Sequence, residues 1–198
     1  MKTFYIIASI GFLFLMIQSY KLLSNNLKTE NQKYRLVLKD AQFEIRFYPS
    51  ATFAKIYSSG TDYKSVSSSG FRKLAGYIFG GNDQGKSISM TAPVRMEMSD
   101  KGSSMSFVMP EKYKEADLPK PKDASVQIVK SSPQYVAVIS FGGYADDETI
   151  REKRDLLLKL IQKKGIKVTG EYSFLGYNAP FQFWGRKNEV VIPIDWKE

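Results

Sequence analysis

The chain has 198 residues, of which 43% are hydrophobic and 14% aromatic, and these values are typical of one globular domain with a buried core plus an appendage. Its formal net charge of +9 is compatible with nucleic acid, anionic lipid or acidic small molecules as partners, although scattered lysines on a soluble basic surface explain it as well. The sequence has no cysteine and no histidine, which excludes disulfides, thiolate sites, histidine-based catalytic triads and histidine-ligated metals.

The first predicted element is an apolar segment at the N-terminus. Residues 3–20 carry no charge and lie between Lys2 and Lys21. As a helix they would span about 27 Å, close to the hydrocarbon core of a bilayer. Residues 1–21 are therefore predicted to be a membrane anchor or a secretory signal peptide. The best cleavage site has the bulky Ile17 at its first position, so we favour an uncleaved anchor, with export after cleavage as the alternative.

A linker and three strands are predicted next. Residues 22–33 are polar and rich in asparagine, and they indicate a linker to a domain at residues 34–196. Residues 43–48 alternate between apolar and polar side chains, as a half-buried strand does. Two further strands are predicted at residues 34–38 and 52–57.

A helix is predicted from residue 63 to residue 78. Asp62 is a favourable N-cap residue, and Gly80-Gly81 marks the end of the helical pattern. The segment from Gly80 to Lys86 invites comparison with a phosphate-binding loop, but the glycines of such a loop lie between a strand and the start of a helix. Here they follow a helix, so we predict a turn into the next strand instead.

A β-hairpin is predicted from residues 87–98 and 104–110, joined by a turn at residues 99–102. Five methionines lie on or beside it: Met90, Met96, Met98, Met105 and Met109. Flexible filling of the core explains them, and the alternative is an adaptable surface for a flat apolar ligand or a partner helix.

The pattern then repeats after a charged connector at residues 111–123. The predicted elements of the second half are strands at residues 126–129 and 135–141, a helix at residues 147–164, and strands at residues 171–177 and 189–194. Ala179-Pro180 in this half corresponds to Ala92-Pro93 in the first. We therefore predict one duplicated unit and an α+β fold, in which two helices pack on a curled or closed antiparallel sheet.

Aromatic side chains surround the two Ala-Pro sites. They are Tyr77, Phe79, Tyr177, Phe181, Phe183 and Trp184. Most are expected in the core. Because proline interrupts sheet hydrogen bonding, the two sites are expected at edges or strand breaks, where the aromatics could form the rim of a pocket.

No catalytic site is predicted. The carboxylates of Asp146, Asp147 and Glu148 cluster at the start of a helix, where capping and the helix dipole explain them. An enzymatic hypothesis would need a polar cluster around a residue such as Glu44 or Glu189. Single-stranded nucleic acid fits the basic charge and the aromatics in principle, but the predicted membrane segment argues against it.

The segment from Tyr77 to Val94 resembles the signature of the SOUL haem-binding protein family, with Gly80-Gly81-Asn82 and Met90-Thr91-Ala92-Pro93-Val94. Further matches, in order, are residues 105–110 (Met-Ser-Phe-Val-Met-Pro), 118–123 (Leu-Pro-x-Pro-x-Asp), 141–144 (Phe-Gly-Gly-Tyr), 176–180 (Gly-Tyr-Asn-Ala-Pro) and 185–190 (Gly-Arg-Lys-Asn-Glu-Val). Together they extend over residues 34–195.

The resemblance implies a distorted antiparallel β-barrel built from two βαββ-like halves with two helices. It also implies non-catalytic binding of haem or another tetrapyrrole in an apolar surface cleft beside the first helix. Haem transport or buffering at a membrane, by a monomer, is then expected. The alternative is a module for another hydrophobic small molecule or a partner protein, as in gyrase-inhibitor-like effector domains.

Some family members ligate haem iron through histidine, which this chain lacks. Apolar contacts, a methionine or tyrosine ligand, or lysine and arginine pairing with the propionates would have to hold haem instead. The candidate binding residues, chosen from their position on and after the first helix, are Arg72, Lys73, Tyr77, Lys86 and Met90.

Overall fold

The computed structural model describes residue 16 and residues 29–198. The chain divides into two compact units, Met1–Glu30 and Asn31–Glu198, and the sheet and cleft described below belong to the second. The predicted anchor or signal at residues 1–21 and most of the predicted linker at residues 22–33 lie outside the described residues, apart from residue 16. Within the described part of the chain, no helix combines the length and the apolar character needed to cross a bilayer.

Strands and helices occur largely where the sequence predicts them. The strands are β1 (Glu30–Asn31), β2 (Arg35–Lys39), β3 (Glu44–Tyr48), β4 (Thr52–Ser58), β5 (Thr91–Ala92), β6 (Val94–Ser99), β7 (Gly102–Val108), β8 (Gln127–Lys130), β9 (Gln134–Phe141), β10 (Lys167–Val168), β11 (Ser173–Gly176) and β12 (Asn188–Asp195). The α-helices are α1 (Tyr63–Ile78) and α2 (Asp147–Lys163), and one turn of 3-10 helix covers Glu115–Asp117.

The main sheet is antiparallel and curled. Its strand order is β2-β3-β9-β12-β11-β6-β7-β4-β8, and β10 pairs with β12 off this path. Strands β2 and β8 lie at opposite ends of the order, so the sheet forms a half-barrel. Together with the two helices, this confirms the predicted α+β class.

The predicted duplication is visible in the strand order. One half contributes β3, β4, α1, β6 and β7, and the other contributes β8, β9, α2, β11 and β12. The halves meet where β11 pairs with β6. In addition, the first strand of each half pairs with a strand of the other half, β3 with β9 and β8 with β4. The two halves are therefore interlocked in one sheet.

The methionine-rich hairpin is present, but its first strand is shorter than predicted. Strands β6 and β7 pair in register from Val94 opposite Phe107 to Ser99 opposite Gly102. Pro93, which follows a cis peptide bond, separates β6 from the short β5. Because proline has no N–H to donate, it ends the ladder at this point.

Apolar side chains occupy both faces of the sheet. The larger cluster lies between the sheet and the helices and includes Leu74 of α1 and Leu157 of α2, both fully buried. A smaller cluster, formed by Tyr48, Val136, Val138, Leu175 and Val191, lies on the other face. Neighbouring residues of one strand, such as Val190 and Val191, belong to different clusters because side chains alternate along a strand.

Candidate ligand-binding cleft

A cleft of about 640 Å³ lies between helix α1 and the middle of the sheet. This volume is typical of sites for small molecules and cofactors. The cleft is lined by Tyr63, Ser67, Ser68, Phe71, Arg72 and Ala75 of α1, by Val94, Met96, Met105, Phe174 and Gly176 of the sheet, and by Tyr144, Asn178, Pro180, Arg186 and Asn188. Most of this surface is apolar.

Helix α1 forms one wall because its buried stripe holds it close to the sheet. A Cβ added at Gly70 would lie 2.9 Å from Cδ1 of Ile56 and 3.4 Å from Sδ of Met105, so the helix and the sheet are nearly in contact there. Phe71 and Ala75 lie beside this stripe and line the cleft. The close approach at Gly70 thus sets one boundary of the cleft.

The start of α1 is fixed by two carboxylates. Oδ1 of Asp62, the N-cap residue, accepts a hydrogen bond from the backbone N–H of Ser65 at 2.7 Å. Oδ1 of Asp147, at the start of α2, accepts one from the N–H of Tyr63 at 2.6 Å. The cluster of carboxylates at the start of α2 therefore contributes to helix capping, as its position in the sequence indicates.

Methionines form part of the floor of the cleft. Met96 of β6 lies directly opposite Met105 of β7, and these side chains are only 2% and 1% exposed. Both line the cleft, whereas Met98 and Met109 are buried in the core outside it. All four are buried in the core, as the first interpretation predicts, and a role of Met96 and Met105 in ligand binding stays a prediction. The floor is polarizable and can adapt to the shape of a flat ligand.

Two arginines supply the positive charge of the cleft. Arg72 is exposed on α1. Arg186 lies in the loop between β11 and β12, and its Nη1 donates to the carbonyl oxygens of Ala179 at 2.8 Å and Gln182 at 2.9 Å. Its guanidinium carbon lies 4.4 Å from the ring centre of Tyr144, and its buried Nε has no hydrogen-bond partner among the described residues.

The described residues that line the cleft include these two arginines and no carboxylate. Guanidinium groups pair with carboxylates through two parallel hydrogen bonds. An apolar cleft with this charge is complementary to a hydrophobic ligand that carries anionic groups, and it offers no carboxylate to a hydrophobic cation.

A second cavity, of about 430 Å³, lies near the start of α2 and differs in character. Its lining includes the acidic Asp62, Asp100 and Asp147 together with the basic Arg151 and Arg154. Because charges of both signs face this cavity, it suits a flat apolar ligand less well.

Glu189, one of the residues that an enzymatic hypothesis would need, is buried on the face of the sheet opposite the cleft. Its oxygens accept hydrogen bonds from both Nη atoms of Arg46, each at 3.0 Å, from Oη of Tyr177 at 2.7 Å and from Oγ of Ser140 at 3.2 Å. Glu44 also binds Arg46, with 2.6 Å between Oε2 and Nη2.

These contacts set the charge of Glu189. Burial alone would raise the pKa of its carboxyl group, but the hydrogen bonds and charge of Arg46, with smaller contributions from Tyr177 and Lys187, hold the pKa below its usual value. The carboxylate is ionised, fully buried and surrounded by partners. This arrangement is typical of an ion pair that stabilises the fold.

The five binding residues predicted from the sequence lie in different surroundings. Arg72 lines the cleft, whereas Lys73, the next residue, directs Nζ to Oγ of Ser125 at 3.1 Å. Lys86 is exposed, with Nζ 4.8 Å from the ring centre of Tyr113.

Tyr77 and Met90, the other two, also lie outside the cleft lining. Met90 is partly buried against the core. Oη of Tyr77 donates to the carbonyl oxygen of Pro119 at 2.9 Å, and burial raises the pKa of Tyr77 to about 12. The structure therefore brings one of the five candidates to the cleft, and the binding role of all five stays a prediction.

The expectation that most aromatics near the Ala-Pro sites lie in the core was wrong. Tyr77 is buried, but Phe79, Phe181, Phe183 and Trp184 are 58–86% exposed. The last three lie in the connection between β11 and β12, outside the sheet. An apolar residue in a loop has no strand or helix to direct it inward.

Arg186, Met96 and Met105 were not among the sequence candidates. Arg186 lies within the Gly-Arg-Lys-Asn-Glu-Val motif, which is the signal that could have identified it. The two methionines were noted on the hairpin, but only the strand register shows that they face each other beneath the cleft.

The residues present fit a haem group held without covalent attachment. No group of three or more His, Cys, Asp or Glu side chains that could hold a metal ion occurs in residues 29–198. The thioethers of Met96 and Met105 and the phenols of Tyr63 and Tyr144 line the cleft, and both side-chain types ligate haem iron in proteins. The arginines match the propionates.

Comparison with known proteins agrees with this geometry. A family model described as SOUL heme-binding protein matches residues 29–193. Heme-binding protein 2 of Mus musculus is 32% identical over 159 residues, which cover 76% of this chain and 77% of that protein. Heme-binding protein 1 of Xenopus laevis is 28% identical over 172 residues, which cover 81% and 90% of the two chains.

Among solved structures, the C-terminal domain of EcmrR superposes with a TM-score of 0.62 over 79% of this chain and 98% of that one, at 9% identity. An uncharacterized conserved protein from Listeria innocua does so with a TM-score of 0.58 over 78% and 92% of the two chains, at 13% identity. These likenesses concern the fold alone. The family match and the identity to the mouse protein show that the chain belongs to the SOUL heme-binding protein family.

Proposed function

We propose that this protein binds haem or a related tetrapyrrole, without catalysis, in the cleft beside α1. The observation that carries the proposal is the lining itself, which is largely apolar and contains Arg72 and Arg186 but no carboxylate among the described residues. A porphyrin with propionate groups has the complementary chemistry, with a flat apolar ring and an anionic edge. Membership of a haem-binding family favours this ligand over other hydrophobic anions.

Each part of the cleft has its own role in this proposal. The floor around Met96, Met105 and Phe174 contacts the apolar ring, and Phe71 covers it from the helix side. Arg72 and Arg186 pair with the propionates. Bound haem would supply an iron centre, and methionine or tyrosine side chains are the available ligands because the chain has no histidine or cysteine.

The cellular role proposed here is transport or buffering of the ligand at a membrane. The support is the uncharged N-terminal segment at residues 3–20, which the sequence predicts to be an anchor or a signal peptide. Anchoring would keep the cleft close to the bilayer, into which apolar porphyrins partition.

A second candidate is the binding of another hydrophobic anion. It is favoured by one observation, namely that the largely apolar lining with two arginines is complementary to any hydrophobic anion of suitable size. A hydrophobic anion without a porphyrin ring therefore distinguishes the two candidates, because it keeps the apolar body and the negative charge and removes the tetrapyrrole.

Titration of the full chain in detergent tests both candidates. The ligands are hemin, protoporphyrin IX, its neutral dimethyl ester, a hydrophobic anion without a porphyrin ring, and a hydrophobic cation of similar size. Binding of the porphyrins is measured from the Soret band, and binding of the other two from the thermal shift of the protein. We expect hemin and protoporphyrin IX to bind more tightly than the ester, and the cation to bind most weakly. If the ring-free hydrophobic anion binds and neither hemin nor protoporphyrin IX does, the second candidate stands. No Soret shift with micromolar hemin, or preference for the cation, would contradict the haem proposal.

A further inference from the structure

The connection between β11 and β12, residues 177–187, carries three large aromatic side chains that face solvent. Phe181, Phe183 and Trp184 are 58%, 69% and 86% exposed. Tyr144, 55% exposed, lies beside them, and its Oη is 3.5 Å from the carbonyl oxygen of Pro180. Isolated exposed apolar residues are ordinary, but a cluster of large aromatics on one loop marks an interaction site.

The loop is held in this form by its own hydrogen bonds. Nε2 of Gln182 donates to the carbonyl oxygen of Trp184 at 2.9 Å, and Nη1 of Arg186 binds the carbonyl oxygens of Ala179 and Gln182. The backbone N–H of Lys187 donates to Oδ1 of Asn178 at 2.6 Å. The backbone is fixed, so the outward position of the aromatics is a property of the folded loop.

The charge around these aromatics is positive. Residues 172–188 include Arg186 and Lys187 and contain no aspartate or glutamate, in a chain with a net charge of +9. Nζ of Lys187 is 3.1 Å from Oε1 of the buried Glu189, a carboxylate that also binds Arg46, and the Lys187 side chain stays partly exposed. Two of the three carboxylates at the start of α2 have structural partners, since Asp146 accepts from the N–H of Thr149 and Asp147 from that of Tyr63. Exposed tryptophan and phenylalanine beside basic residues match the interfacial region of a bilayer that contains anionic lipids.

The aromatic loop also borders the ligand cleft. Asn178, Pro180 and Arg186 belong to the loop and line the cleft. A surface that contacts the aromatics would therefore lie next to the cleft opening.

We propose that residues 181–184 insert into the interface of an anionic lipid bilayer and place the cleft beside the membrane. The N-terminal segment is not needed for this contact. The proposal also does not depend on the identity of the ligand, because the exposed aromatics and the basic residues carry it. A protein partner for the same loop is the competing outcome that the experiment below must exclude.

The fluorescence of Trp184 gives a local test in the full chain. The chain has two tryptophans, and Trp196→Phe leaves Trp184 as the single reporter. The reporter chain is bound to vesicles of phosphatidylcholine, with or without phosphatidylserine, whose acyl chains carry bromine. We expect Trp184 emission to shift to shorter wavelength and to be quenched by the bromine, more strongly with phosphatidylserine. Binding through residues 1–21 alone would leave Trp184 in water, so the local probe separates the two modes.

A matched pair of variants completes the test. Phe181→Ser with Phe183→Ser should reduce the partitioning of the loop about tenfold or more, measured by bromine quenching of Trp184. Phe79→Ser is the control, because Phe79 is 65% exposed but lies just after α1, outside the loop, and quenching should be unchanged. If Trp184 of the bound chain is not quenched by bromine and is equally accessible to aqueous iodide with and without vesicles, the proposal is wrong and the loop serves another partner.

Discussion

Replacement of Arg72 by alanine should weaken the binding of an anionic porphyrin, while replacement of Lys73 should not. Both residues are exposed on α1 and carry one positive charge each. Their side chains point in directions about 100° apart around the helix. Arg72 lines the cleft, and Lys73 contacts Ser125 instead. The pair therefore separates a specific contact from the general effect of removing a positive charge.

The expected magnitude follows from the exposure of Arg72. Exposed ion pairs contribute about 0.2–1 kcal/mol, because water and salt screen them and ordering the side chain costs entropy. We therefore expect Arg72→Ala to reduce the affinity for hemin by at most about fivefold. Arg186 is half-buried and should contribute more, but it also binds two loop carbonyls, so its replacement would change the loop as well.

Titrations with protoporphyrin IX and with its dimethyl ester measure this effect. Arg72→Ala should weaken binding of the acid and leave binding of the ester unchanged, since the ester has no charge to pair. The loss for the acid should also shrink at high salt. Equal losses for Arg72→Ala and Lys73→Ala, or equal losses for acid and ester, would refute the assignment of Arg72 to the propionates.

Three further predictions concern stability and are measured by urea unfolding. Glu189→Gln should destabilise the protein by about 3 kcal/mol at neutral pH, because it leaves Arg46 buried with only part of its compensating charge. The pKa of Glu189 is lowered in the folded state. Its contribution to the free energy of unfolding is therefore complete above the ordinary pKa of about 4.3 and is lost as the pH falls through the folded-state pKa. If the loss of stability caused by Glu189→Gln stays the same in acid, this reasoning is wrong. Gly81→Ala should destabilise the protein by about 1–3 kcal/mol, because the added Cβ would lie 2.6 Å from the backbone oxygen of Gly76. A Cβ added at Gly76 meets nothing within 4 Å, so Gly76→Ala should stabilise the protein by up to about 1 kcal/mol. Effects of the same sign for the two variants would argue against this backbone geometry. Tyr77→Phe should cost about 1–3 kcal/mol, because it leaves the carbonyl of Pro119 without its hydrogen bond, and it should leave the hemin affinity unchanged. A loss of hemin affinity without a loss of stability would instead support the binding role that the sequence predicts for Tyr77.

Local patterns in the sequence were sufficient to predict the helices and the hairpin. The N-cap at Asp62 and the glycines after residue 79 bound α1 as expected, because capping and chain reversal depend on neighbouring residues. The duplication was also readable from corresponding motifs. The exchange of first strands between the halves was not, because β3–β9 and β4–β8 pairing joins residues far apart in the chain.

The candidate site was harder to predict for the same reason. Arg72 was found from its place on the predicted helix, but its partner Arg186 comes from a distant loop that the fold brings to the same cleft. The exposed Phe181, Phe183 and Trp184 were expected in the core because hydrophobicity alone does not distinguish a buried side chain from one that serves a binding surface. Their exposure depends on loop hydrogen bonds that the sequence pattern does not reveal.

The most direct test of the central claim is to fill the cleft from its helix wall. Ala75 lines the cleft, whereas an atom added at the neighbouring Gly76 meets nothing within 4 Å. Ala75→Phe should weaken the binding of hemin by about tenfold or more, since the new ring would occupy the space of the ligand, while Gly76→Phe should bind hemin like the unmodified protein. Equal hemin affinity for both variants, with both folded, would show that the ligand does not bind beside α1.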